Sequence, residues 1–507
     1  MSPRLRHNPL GGLVLTVLVL LATGCENYFW LPWLGSSESA MTTGIGILVD
    51  AFTEDLIQER TFTHGTAVTT VTYAVDDLQR VPLEIDFNDD GKIDPVVCYG
   101  EEQAVIQILL STGGTGVVDP ISLTLDSKYD MTKLADVAVA DIDSDGYLDI
   151  VAAAEEAVWY FRHPSSGDPA DLRDWGALDP NDTLRERIDA SYNQISDDEL
   201  TAMIDQAIHV TVNLNDYVIT VEQLYTNVET ADFDGDGDYD VATSRSFRIN
   251  LQPRDSGLVE PIQIIDGDVL ILVNPGFAFD GTDWTQLSIG RHERQLRLDR
   301  DGATGLLVHD MDGDGQLDVV SSARMDNNAQ VAWFRNPGGM LTTANPWTQY
   351  RIGSVRDSWA IDLGDVTGDG WPDVVATGAE QMQTMLFVHP GVAFPNDRYE
   401  YDWDSHVITD FRSYQPRDVK LLDLDNDGVL ELVLGGTEGA VRYFEPPADP
   451  TSEWSGASVV TFEDGGTVGL LGYGDLDGDN DLDLVATVDT DEENFSRTVW
   501  IRNSLAP

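Results

Sequence analysis

Nine residues recur seven times along this chain in nearly the same order, Asp-x-Asp-x-Asp-Gly-x-x-Asp. The copies begin at Asp86, Asp141, Asp232, Asp310, Asp365, Asp423 and Asp475. They read DFNDDGKID, DIDSDGYLD, DFDGDGDYD, DMDGDGQLD, DVTGDGWPD, DLDNDGVLE and DLDGDNDLD. One copy would be an ordinary Asp-Gly surface turn. Seven copies, each followed by an apolar run, define a repeat architecture in which every unit carries the same acidic loop.

The spacing of the acids within a copy indicates a metal site. When such a loop curls, the side chains at positions 1, 3 and 5 face one concavity. The backbone carbonyl of position 7 adds a neutral oxygen, and the acid at position 9 closes the shell. A hard, anionic oxygen cage suits Ca2+, which takes roughly six to eight oxygens, better than Mg2+, which prefers a tight octahedron with several waters. The expected ligands in the first three loops are Asp86, Asn88, Asp90, Lys92 and Asp94; Asp141, Asp143, Asp145, Tyr147 and Asp149; and Asp232, Asp234, Asp236, Asp238 and Asp240. In the next two they are Asp310, Asp312, Asp314, Gln316 and Asp318, then Asp365, Thr367, Asp369, Trp371 and Asp373. The last two offer Asp423, Asp425, Asp427, Val429 and Glu431, and Asp475, Asp477, Asp479, Asp481 and Asp483. The Asp365 loop departs furthest, with Thr367 at position 3 and Pro372 at position 8. Position 6 needs a residue that accepts positive φ, and it is Gly six times and Asn480 once. An EF-hand also needs an acid at position 12. Here that position holds Val97, Ala152, Thr243, Ser321, Ala376, Leu434 and Ala486, so the EF-hand is excluded. Up to seven structural Ca2+ ions are expected.

The formal net charge of −60 fits this picture. Such a chain repels nucleic acid and anionic lipid headgroups. Its 42% hydrophobic content and 12 Trp oppose disorder.

The motif starts lie 55, 91, 78, 55, 58 and 52 residues apart, a base period near 55 with two long intervals. Those intervals predict insertions at about 163–216 and 247–267. The first contains a helix candidate after Ser196-Asp197-Asp198-Glu199, a capping-box pattern. Around the Asp423 loop, short apolar runs at Val419–Leu422, Leu432–Gly435, Ala440–Phe444 and Ala457–Phe462 read as four strands bounded by Gly, Pro and Asp. The third run recurs as Val158-Trp159-Tyr160-Phe161, as Val331-Ala332-Trp333-Phe334-Arg335-Asn336 and as Val499-Trp500-Ile501-Arg502-Asn503. Its Trp residues are expected to pack between neighbouring sheets. Seven such units close naturally into a ring. The last unit stops after its third strand, and Thr66–Tyr73 is a spare strand that could complete it. Ile45–Phe62 fits either helix or strands.

These motifs, followed by Asp-Val-Val or Asp-Leu-Val and a later aromatic strand, resemble the FG-GAP/VCBS repeats of integrin-α-type propellers and many bacterial surface proteins. The resemblance covers about residues 66–507. It implies an all-β fold: a seven-bladed β-propeller of four-stranded antiparallel blades with a calcium loop per blade. In that family the acidic loop joins the first two strands of a blade.

The N-terminus reads as a targeting segment. Arg4, Arg6 and His7 precede an apolar core from Leu13 to Leu21, too short to span a bilayer. Leu21-Ala22-Thr23-Gly24-Cys25 resembles the lipobox of bacterial lipoproteins, with its Leu one place further from the Cys than usual. This predicts a signal peptide over 1–24, lipidation of Cys25, an anchor and linker over 25–44, and the propeller over 45–507. Glu26 after the anchor resembles outer-membrane sorting. Membrane contact would then run through acyl chains. The other cysteine, Cys98, lies in an apolar run and is expected in the core.

No HExxH, GxSxG, Walker or CxxCH pattern occurs, and no catalytic residue is assigned. The expected function is a calcium-stabilised, lipid-anchored module of the bacterial cell envelope, monomeric, binding protein or glycan but not nucleic acid. The alternative is a surface polysaccharide-degrading enzyme, a lyase or hydrolase, on the same scaffold.

Overall fold

The computed structural model describes residues between 52 and 503, the longest stretches being 134–154, 216–254, 302–324, 330–391, 403–462 and 465–489. The expected signal peptide, Cys25 and linker lie outside the described residues, as does the capping-box segment at 196–199.

The described residues form seven four-stranded antiparallel sheets and one two-stranded hairpin. The strands are short and rich in β-branched and aromatic residues, and the Asp- and Gly-rich segments between them supply the turns. In the sixth sheet, Pro416–Leu422, Glu431–Gly436, Ala440–Glu445 and Ser455–Thr461 pair consecutively, as the apolar runs predict. The first strands of the sheets touch one another in cyclic order, and that of the first sheet, Gly65–Val68, contacts that of the seventh, Thr467–Gly474. The result is a β-propeller with the first strands around its axis.

Apolar clusters fill the spaces between neighbouring sheets. One joins the fourth and fifth sheets through Trp333, Phe387 and Trp403; another joins the seventh and first through Trp500, Val485, Ile93 and Val97. The repeated Trp residues therefore serve packing, and Cys98 is a buried core residue, 1% exposed.

One expectation is corrected. The outer strand of the seventh sheet is Phe52–Arg60, which pairs with Ser496–Asn503 from Phe52↔Asn503 to Arg60↔Ser496. The spare segment proposed for that place instead supplies the inner strand of the first sheet, Gly65–Val68, and one strand of the hairpin, Thr70–Val71. Closure by an N-terminal strand holds, but the strand lies one segment earlier. The extra length expected at 247–267 takes the form of longer strands: residues 247–253 and 262–267 extend the second and third strands of the third sheet, Asp240–Pro253 and Ile262–Val273. Phe247, Ile249, Leu251 and Ile264 form a small core there with Ile204. Within 163–216, Arg185–Arg187 is the fourth strand of the second sheet.

Candidate metal centre

Each acidic loop except the first directly joins the first and second strands of its sheet; in the first, the hairpin Thr70–Val71 with Leu83–Glu84 intervenes. A common set of hydrogen bonds shapes all seven. The position-6 N–H donates to the outer oxygen of position 1, as from Gly146 to Asp141 Oδ2 at 3.0 Å and Gly315 to Asp310 Oδ2 at 2.8 Å. It does so in every loop, including Asn480 to Asp475. Position 6 has φ between 71° and 96° in all seven copies, so the glycine pattern and its Asn480 exception follow from backbone conformation.

Position 9 holds the loop to its sheet. One of its oxygens accepts the N–H of position 2 in every copy, for example Ile142 to Asp149 and Met311 to Asp318. In five copies the other oxygen accepts the N–H of a residue at the end of the third strand or within two residues beyond it: His163, Asn274, Asn336, His389 and Asn503. The acid therefore fixes the loop as well as facing the concavity. Asp149, Asp240, Asp318, Asp373 and Asp483 are buried. Burial, with neighbouring carboxylates, pushes the carboxyls of Asp149, Asp240 and Asp318 well above their usual range. Asp483 is raised to about 7 and Glu431 to about 8, in both cases chiefly by burial.

The carboxylates converge as a cation site requires. In the loops at Asp141, Asp232, Asp310, Asp423 and Asp475, three or four acids bring one oxygen each within 4.8 Å of one another. In these groups position 1 is joined by positions 3 and 9 in the Asp141, Asp232 and Asp310 loops, and by positions 3 and 5 in the Asp475 loop. Four acids meet in the Asp423 loop: Asp423, Asp425, Asp427 and Glu431. The Asp365 loop forms no such group among the described residues. Residues 88–90 of the Asp86 loop lie outside them. The buried oxygens Asp234 Oδ1, Asp312 Oδ1 and Asp423 Oδ1 have no hydrogen-bond partner. An orphaned buried carboxylate oxygen is costly unless a cation faces it. The donor set thus fits a hard divalent ion. The position-7 residues Tyr147, Asp238, Gln316, Trp371, Val429 and Asp481 use their N–H to hold position 5, which leaves their carbonyls for other partners.

Residues outside the motif were not foreseen as part of the site. The side-chain amide of Asn336 donates to Leu317 O, at position 8 of its own loop, and to Phe233 O, at position 2 of the preceding sheet's loop. Asn274 does the same towards Tyr239 O and Ile142 O. Asn503 donates to Leu424 O of the sixth sheet. These three residues couple the third loop to the second, the fourth to the third and the seventh to the sixth. The recurrent Arg-Asn ending the third strand was the available signal, but nothing local assigns it a role.

A family model described as an FG-GAP-like repeat matches residues 86–152, 310–376 and 423–486. The chain carries FG-GAP-like repeats. Six of the seven loops fall within the matched regions, and the loop at Asp232, in the sheet with lengthened strands, falls outside. The chain is also similar to the solved Dos1 propeller, at 11% identity over 86% of this chain and 82% of that one, with a TM-score of 0.38. No curated protein matches it.

Proposed function

We propose that this FG-GAP propeller is a calcium-stabilised binding module, anchored through lipidated Cys25 in the bacterial envelope, at the outer membrane, where it takes a protein or glycan ligand as a monomer. The observation that carries the proposal is the convergence of buried, partly orphaned carboxylate oxygens in repeated loops. Ca2+ would be held by the acids at positions 1, 3, 5 and 9, and it would supply the charge that these acids lack. The loops hold their shape through backbone hydrogen bonds and join elements of the ring, which supports a structural role for the ion. The generic binding capacity of propeller scaffolds supports the ligand assignment.

The test is thermal unfolding of the full chain in EDTA and in millimolar Ca2+, followed by incubation with polysaccharides and envelope extracts. Chelation is expected to lower the melting temperature by about 10 °C or more, with recovery on adding Ca2+. Ligand retention without new chain ends is expected. An unchanged melt in EDTA rejects the calcium assignment, and release of sugar fragments rejects the binding-module assignment.

A further inference from the structure

The seven loops differ in one respect that lies outside the motif. The second and third strands pair in register, and this places one residue of the third strand opposite position 9. The pairs Ile150↔Phe161, Val319↔Phe334 and Leu484↔Ile501 bring Arg162, Arg335 and Arg502 to that place. In the third, fifth and sixth sheets the same register brings Val273, Val388 and Glu445.

The arginines reach into the loops. Arg335 Nε donates to Asp312 Oδ2 at 2.5 Å, and its Nη2 donates to Asp314 Oδ2 at 2.6 Å. Arg162 pairs in the same way with Asp143 through Nε and approaches Asp145 Oδ2 at 3.5 Å through Nη2. Arg502 stands further off, with Nε 3.8 Å from Asp477 Oδ2. A guanidinium thus grips positions 3 and 5 with its rigid fork. In the Asp141 and Asp310 loops the position-5 acid lies with the arginine and outside the converging group. One ligand direction remains open even there. The Asp312 side chain is 6% exposed, and its Oδ1 has no hydrogen-bond partner.

The Asp423 loop has the opposite character. Glu445 stands where an arginine would, and the next residue is Pro446, which has no N–H to give to position 9. Position 9 is also the only glutamate, whose extra methylene carries its carboxylate further into the loop. Glu431 is 3% exposed, and four carboxylates converge with no guanidinium among them. The Asp232 loop lies between these extremes: Val273 brings no charge, yet Asp236 stays outside the converging group.

We propose that the loops are a graded set of cation sites, in which the Asp423 loop binds tightly and the Asp141 and Asp310 loops bind weakly because Arg162 and Arg335 are built-in counter-ions. A cation entering an arginine loop meets a fixed positive charge and competes for oxygens already in charge-assisted hydrogen bonds. The same arginines keep their loops in shape without a cation. This inference rests on the calcium reading above, and the experiment separates the two.

The full chain in detergent is titrated with Ca2+ by calorimetry, and its melting is followed in EDTA and in Ca2+. Glu431→Gln is expected to weaken the tightest binding step at least tenfold. Glu445→Arg, at an exposed position, is expected to do the same while leaving the melt in EDTA unchanged or raised. Arg335→Ala is expected to strengthen a weak step about tenfold and to lower the melting temperature in EDTA but not in saturating Ca2+. Arg162→Ala repeats that test should Arg335→Ala fail to fold. Equal destabilisation with and without Ca2+, or weaker Ca2+ binding in the arginine variants, overturns the counter-ion role. Unchanged tight binding in Glu445→Arg overturns the hierarchy. Absence of any Ca2+ binding in the parent chain rejects the calcium reading itself, and the graded sites fall with it.

Discussion

Asp136 lies on the inner strand of the second sheet, yet two of its hydrogen bonds come from the third: Val228 N and Asn227 Nδ2 donate to Oδ2, each at 3.2 Å. Its own neighbour, Val137 N, donates to Oδ1 at 3.0 Å. Burial raises the carboxyl to about 7, against the pull of these donors and of the Lys420 ammonium on the sixth sheet. The ordinary value is 3.8, so the folded protein holds this proton more tightly than the unfolded chain. Asp136 is then protonated in the fold at pH 5 and ionised at pH 8. Stability should fall as pH rises between about 4 and about 7. In Asp136→Asn that share of the slope should vanish. Guanidinium midpoints at pH 5 and pH 8 should show the parent losing on the order of 1 kcal/mol relative to the variant. That is about half of what the roughly two pKa units between pH 5 and the folded value would give, because the carboxylate keeps some exposure. Parallel pH profiles would sink the assignment. Comparable polar links join other sheets, with Thr226 Oγ1 donating to Ala303 O, Thr304 Oγ1 to Ser358 O and Leu421 N to Asp362 Oδ2. None was legible in the sequence. The partner of Asp136 lies 91 residues away, and a lone acid in an apolar run carries no mark of what it will meet. The loop acids were legible because seven copies repeat one chemistry. Arg335 was visible as a letter in a recurrent strand, but its role depends on the strand register, which a sequence does not print.

Strands and their packing show what form the extra length of the third unit takes. The interval between motifs is long there. The residues nevertheless alternate with period two, Phe247, Ile249 and Leu251 pointing inward and Arg248 and Asn250 less so. Period two is the mark of a strand that continues, and it outweighs length. Packing between elements rests on a less visible device. Gly353, in the outer strand Thr348–Ser354 of the fourth sheet, faces Phe387 in the third strand of the fifth. A Cβ at 353 would stand 2.1 Å from Phe387 Cε1 and 2.6 Å from Cδ1. Gly290 stands in the same relation to Phe334, with 2.2 Å to Cε1. The missing side chain is thus what lets a buried ring of the next sheet enter. Gly353→Ala should cost about 2 to 3 kcal/mol, since Phe387 is fully buried and has nowhere to go. Adding Phe387→Leu should cost less in the Gly353→Ala background than alone. A double-mutant cycle by chemical denaturation measures this coupling, and additive losses would show that the ring is not what the glycine accommodates.

For the whole molecule, the decisive element is the strand that closes the ring. Seven sheets in a cycle need the last to be held to the first, and here the closure joins the two ends of the described chain. Phe52–Arg60 pairs along the length of Ser496–Asn503, with one irregularity between Leu56 and Gln58. Without it, Ser496–Asn503 becomes an unpaired outer edge, and its open N–H and C=O groups invite another chain to pair. The loss also reaches the acidic loops, because Asn503 closes this same strand while its N–H holds Asp483 and its amide holds Leu424 O. Chains beginning at Phe52 and at residue 62 should therefore differ in three measurements. The shorter chain should melt at least about 5 °C lower. It should form larger species in size-exclusion chromatography. It should also show faster amide exchange in 483–489 and 496–503 than in the fourth and fifth sheets across the ring, because a broken closure frees the sheets beside it first. Two chains with the same melting temperature and the same exchange in 496–503 would mean that the ring is held by inter-sheet packing alone, with Trp500, Val485 and Ile93 sufficient to keep the seventh sheet against the first.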